Sequence, residues 1–205
     1  MSSGLVGGQG VNAMALDPDI KMLILEIEAN VSHLESITHG LTREQLNWRP
    51  EPGRWSVGEC VQHLNLTNVM DLAELQKAVE KGRAQGPKGE GPFTYGFLAN
   101  KLVSMVEPPI KRRFKAPKTL IPATNLDPEQ TVAEYRKIAR QWRDLVTSAS
   151  GLHLQKLKVS IAGLPKALRP LFRFPLGARF AMTATHDRRH LWQAEQVRLD
   201  AKFPG

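Results

Sequence analysis

The chain is short of cysteine: Cys60 is the only one in 205 residues, so no intrachain disulfide can form, which suits a reducing cytosol. It also lacks any uninterrupted apolar run near the ~20 residues a bilayer span needs, so no transmembrane segment and no membrane partner are expected. Residues 1–16, MSSGLVGGQGVNAMAL, have neither a basic n-region nor a long apolar core. That excludes a secretory signal and reads as a flexible, glycine-rich leader ahead of a single domain over residues 17–205. Internal repeats are absent, and no run has the alternation of a convincing strand. A cytoplasmic, soluble protein is expected.

Acidic residues are outnumbered. Twenty-eight Lys and Arg against 20 Asp and Glu give a formal charge of +8 and a pI near 9.8. Such a surface favours anionic partners: nucleic acid, an anionic membrane face or a small acidic substrate. Composition does not choose among them. The run Lys111-Arg112-Arg113, with Lys115 and Lys118, is the strongest argument for nucleic acid. No zinc-finger, RRM or homeodomain pattern accompanies it, so nucleic acid is not the expected partner.

What is present is helical. Asp17-Pro18 is an N-cap followed by proline at the first helical position. Ile20, Ile24, Ile27, Val31 and Leu34 then mark one stripe of a helix ending before Gly40. Residues 41–55, with two prolines and a glycine, are expected to form a loop holding a helical turn at most. Ser56 and Glu59 have the spacing of a capping box, and Val57, Val61, Leu64, Leu72, Leu75 and Val79 carry a second stripe to a stop at Gly82. A third helix is expected from Phe93 to Glu107, ended by Pro108-Pro109. Asp127-Pro128 opens a fourth, with Val132, Tyr135, Ala139, Trp142, Val146 and Ala149 on its stripe. Residues 152–175 carry Gly163, Pro165, Pro170 and Pro175, which forbid one long helix. The last helix is expected from Leu176 to Leu199.

That last helix contains ATHDRRHLWQAE, in which His186 and His190 stand four residues apart. At about 100° per residue they point to nearly the same side, one turn apart, and neutral imidazole is a common metal ligand. Two ligands do not make a site. His63, two turns into the second helix, is the candidate third, although a lone helical histidine is more often a hydrogen-bonded core or surface residue. It lies off the Val57-Val61-Leu64 stripe, but Cys60, Leu66 and Met70 share its side. A half-helix apolar nearly all round is buried on more than one face.

Asn47-Trp48-Arg49-Pro50, then Gly53-Arg54-Trp55-Ser56-Val57-Gly58-Glu59, then His63, and finally HDRRHLWQ at 186–193, resemble the two ordered motifs of the DinB-like (DinB/YfiT) superfamily over residues 18–200. The resemblance implies an all-α four-helix bundle, here with extra short helices in the connections, and a homodimer. It also implies one divalent metal held by His63, His186 and His190. Three imidazoles leave a zinc- or nickel-like ion an open coordination position, as catalytic sites do. Cys60, i,i+3 from His63, is a rival fourth ligand that would close the site and make it structural.

Glu59 is read as a capping-box acceptor that could also touch the ligands, since it sits one turn before His63. Arg189, near the histidine side, could meet an anionic substrate or stand exposed. Asp187, about 100° away on the wheel, is read as solvated or salt-bridged. Trp48 and Trp55 are read as packing anchors, Trp142 and Trp192 as core or interface. His33, His39 and His153 lack partner spacing. The function expected is a metal-dependent enzyme, a hydrolase or a thiol S-transferase using a low-molecular-weight thiol on a small substrate. The rival readings are a non-catalytic helical binding or structural protein and a basic nucleic-acid-binding protein.

Overall fold

The computed structural model describes residues 16–109, 115–165 and 167–205. The leader, apart from Leu16, and the Lys111-Arg112-Arg113 run lie outside the described residues. Six helices follow in order: α1 Pro18–Thr38, α2 Arg43–Asn47, α3 Val57–Gln85, α4 Phe97–Val106, α5 Pro128–Ser148 and α6 Leu176–Arg198. A 3-10 turn, Lys118–Leu120, precedes α5. Helices α1, α3, α5 and α6 form the bundle, in which α1 and α3 each pack against both α5 and α6. The fold is the expected all-α bundle, with α4 laid against α6 from outside.

The start signals work as their chemistry requires. The carboxylates of Asp17 and Asp127 accept hydrogen bonds from the amides of Asp19 and Gln130, both at 2.9 Å, and proline fills the first helical position each time. At α3, Ser56 Oγ accepts from the Glu59 amide at 3.1 Å while Glu59 Oε2 accepts from the Ser56 amide at 2.9 Å. A second capping box, Thr42 with Gln45, opens the short α2. Helix α6 has no side-chain cap. Backbone carbonyls substitute, with Leu157 O accepting from Leu176 N at 2.8 Å and Leu154 O from Gly177 N at 3.2 Å.

Four expectations are corrected. Helix α3 does not stop at Gly82 but runs to Gln85. Gly82 is buried in the helix because a Cβ there would lie 2.8 Å from Leu157 Cδ1, so the glycine serves close packing and not a cap. Helix α4 starts at Phe97, four residues later than expected. Asp19 draws the preceding stretch out of helical geometry, accepting from the Phe93 amide at 3.1 Å and the Tyr95 hydroxyl at 3.2 Å. The seam of α1 runs through Ile20, Leu23, Asn30, Leu34 and Ile37, rotated from the expected stripe. It admits buried Asn30 because that amide donates to Ala184 O at 2.9 Å. Finally, there are strands: β1 Lys158–Ser160 pairs antiparallel with β2 Arg173–Pro175, placing Val159 opposite Phe174. Three-residue strands are too short to show a readable alternation.

Two apolar clusters fill the bundle. One gathers Ile20, Leu75, Trp142 and Phe180; the other gathers Leu34, Leu46, Val57, Cys60, Leu64 and Leu191. Buried polar side chains, Asn30, Asn68, Thr183 and Asp187 among them, also occupy the interior. Two bundle helices bring the three histidines out of this interior.

Candidate metal centre

His63 of α3 and His186 and His190 of α6 meet. Each offers a ring nitrogen, and the three nitrogens lie within 4.8 Å of one another. Ring centroids stand 4.6 Å apart for His63 and His190, 4.6 Å for His186 and His190, and 5.4 Å for His63 and His186. His63 and His190 are buried, while His186 is partly open. The apolar first half of α3, buried from Val57 to Val61, lets His63 face inward although it lies off the main stripe.

The second nitrogen of two of these rings is already used. His63 Nδ1 stands 2.8 Å from Leu120 O, and His190 Nδ1 stands 3.2 Å from Gln193 Oε1. A carbonyl oxygen can only accept, so each Nδ1 carries the proton and each Nε2 keeps its lone pair. Such an outer contact is the usual device for orienting a metal-ligating imidazole. Burial is the main cause lowering the pKa of all three rings. It is opposed at His63 by the bond to Leu120 and reinforced at His190 by His186 and His63. His186 is pushed down to about 3 by burial, then by His63, Arg189 and Arg179. The rings are neutral at physiological pH, the state in which imidazole donates to a metal.

Around the histidines stand groups whose part the sequence did not reveal. The Trp55 ring lies 4.8 Å from the His63 ring and 5.8 Å from that of His190, walling one side. Trp48 stays a packing residue, edge-on to Phe203 at 5.5 Å. Arg179 is buried, donating to Asp71 Oδ1 at 2.7 Å, and Thr183 donates to Asp71 Oδ2 at 3.0 Å. The Leu120 contact had no readable signal, because a backbone carbonyl carries none. Gln193, three residues beyond His190, was legible as helical spacing.

Asp187 is not solvated, and no ion pair joins it among the described residues. It is buried, and its carboxylate accepts from Asn68 Nδ2 at 3.0 and 3.1 Å and from the Tyr135 hydroxyl at 2.7 Å. Burial pushes its pKa up to about 7 against the pull of those bonds. The position one residue past His186, turned about 100° from it, faces α3 and α5 and ties three bundle helices together at the level of the site. Arg189 is not exposed but buried, and burial lowers its pKa.

Glu59 is fully engaged elsewhere. Oε2 accepts from Arg49 Nε at 2.7 Å as well as from the Ser56 amide, and Oε1 accepts from Arg49 Nη2. Cys60 is buried among Leu34, Leu46 and Leu64. Burial raises its thiol pKa, and it is not part of the three-histidine group.

A family model described as the DinB superfamily matches residues 26–194. No curated protein matches the chain, and no solved structure does.

Proposed function

The chain belongs to the DinB superfamily, and from that premise we propose that it is a metal-dependent enzyme, a hydrolase or a thiol S-transferase, with a zinc or nickel ion at His63, His186 and His190. The observation that carries this reading is the convergence of three neutral ring nitrogens from two helices. Zn–N bonds of about 2.0–2.1 Å in tetrahedral geometry need donors roughly 3.4 Å apart. The three nitrogens, within 4.8 Å of one another, are already close to that separation. The donor set fits the ion: nitrogen ligands, two with their Nδ1 protons engaged. Among the described residues no fourth protein ligand joins the group, which favours an open, catalytic position over a closed structural one.

A bound divalent ion supplies Lewis-acid activation of a water or a thiol near neutral pH. The protein's own residues do the rest. Leu120 O and Gln193 Oε1 hold the tautomers of His63 and His190. Trp55 shields one side from water. Burial and His63 are the larger causes of the lowered His186 pKa; Arg189, and Arg179 while paired with Asp71, add to it, and the cation of Arg189 suits a small anionic substrate or an acidic thiol.

The test is metal analysis of protein purified without a polyhistidine tag, followed by zinc and nickel titration and a panel of thiols with electrophiles. About one ion per chain is expected, lost in His186→Ala together with turnover. A His186→Ala protein that keeps full turnover, or a folded wild type that takes up neither ion, overturns the reading.

A further inference from the structure

The positive charge of this chain is not spread evenly. Residues 86–127 and 149–175, the connections between α3 and α5 and between α5 and α6, hold twelve Lys and Arg against three acids, Glu90, Glu107 and Asp127; the remainder holds 16 against 17. The net charge of +8 is therefore carried by these two stretches of sequence and not by the bundle helices, with Lys111, Arg112, Arg113 and Lys166 lying outside the described residues.

The same stretches are unusually greasy outside. Of the eleven large apolar side chains exposed among the described residues, six lie in α4 or in the loop joining β1 to β2. Phe97, Leu98 and Met105 stand out from α4, Phe97 with 83% of its surface open. Leu168, Leu171 and Phe172 stand out from the loop, Leu171 at 76%. The two elements touch through their inner faces. Ala99 and Leu102 of α4 pack with Phe174 of β2 and with Ile161 in a small cluster of their own. The inner faces are thus already satisfied, and the exposed apolar groups are surplus to folding. Lys101 lies over the Phe97 ring at 5.9 Å, and Lys158 and Arg173 are exposed on the hairpin.

From this conjunction we propose that α4 and the β1–β2 loop dock the protein peripherally on an anionic lipid surface. This revises the expectation of no membrane partner, which rested on the lack of a spanning helix, and it is independent of the metal centre. Exposed Phe and Leu interleaved with Lys and Arg, and nearly free of acid, are the chemistry of interfacial attachment. The apolar groups enter the headgroup boundary and the cations meet anionic headgroups. Nucleic acid would be served by the charge alone and gives exposed leucines nothing to do. A second copy of the chain would bring like charge against like charge.

The experiment is cosedimentation of the full-length protein with vesicles of phosphatidylcholine containing roughly one third phosphatidylserine, against pure phosphatidylcholine. Partitioning about ten-fold stronger onto the anionic vesicles, weakening as salt is raised, is expected. Leu171→Ser with Phe172→Ser, and separately Phe97→Ser with Leu98→Ser, are each expected to weaken it by about ten-fold. Helical circular dichroism and melting temperature stay at wild-type values, because these side chains are exposed. Lys101→Glu, which removes no apolar area, is expected to lower binding and its salt dependence together. Equal partitioning onto both vesicles, or an apolar pair whose loss changes nothing, overturns the proposal. So does salt-sensitive binding of duplex DNA that ignores both pairs while vesicles fail to bind.

Discussion

Glu59 offers the sharpest test of how the motif before His63 works. Its carboxylate accepts from the Ser56 amide and from two nitrogens of Arg49, and it is 2% exposed. Glu59→Gln keeps one acceptor oxygen but turns an amide NH2, a donor, toward donors. A charge-assisted hydrogen bond is worth about 1.5–3 kcal/mol, and a buried donor left without an acceptor costs about 1–3 kcal/mol. The Arg49 side chain is 43% exposed, so water takes over part of what it loses and the lower end applies. A destabilisation of about 2 kcal/mol is expected. For a chain of this size, that lowers the melting temperature by about 4–8 °C. Thermal unfolding followed by circular dichroism reads it, beside zinc titration of the same protein. Metal stoichiometry is expected to stay at the wild-type value, because Glu59 holds the loop and helix start and not the ion. An unchanged melting temperature with abolished metal binding would refute this, placing Glu59 among the ligands' supports instead of the cap.

Tyr135→Phe removes the hydroxyl donated to Asp187 and is expected to cost about 1–2 kcal/mol, read as a lower urea midpoint with an unchanged slope. The metal-free protein is expected to lose stability as pH falls below about 6.5. The three histidines have folded pKa values below the unfolded one, so the unfolded chain binds more protons there. Asp187 acts with the opposite sign. Its folded pKa of about 7 lies above the unfolded 3.8, so the native state holds the extra proton and stability declines as pH rises through that window. Asp187→Asn is therefore expected to steepen the gain of stability with pH between about 4 and 7. Urea midpoints at several pH values measure both slopes, and a flat profile in the wild-type and Asn proteins alike would count against these protonation states.

The bundle was legible because its signals are local. A cap at Asp17, Ser56 or Asp127 acts within three residues, and periodic apolar residues need only the geometry of one helix. The histidine pair was legible for the same reason, and His63 was reachable through the ordered motif around it. The failures came where a residue answers to a distant part of the chain. Gly82 looked like a stop because nothing nearby shows Leu157 pressing on it. Asp187 looked solvated because Tyr135 and Asn68 lie 52 and 119 positions away. Phe93 to Gly96 looked helical because the pull of Asp19 comes from 74 positions earlier.

Residue order alone settled the four bundle helices and where they begin, since each follows from short-range hydrogen bonding and side-chain periodicity, and the family resemblance of its motifs named the three imidazoles that are candidates to share an ion. Three-dimensional packing decided that those rings converge, which nitrogen of His63 and of His190 is left with a lone pair, that Trp55 stands beside them, and that Asp187 is buried. The division has one physical cause. Caps and stripes are satisfied within a few residues, whereas burial, ring orientation and pKa depend on groups that only folding brings within a few ångströms.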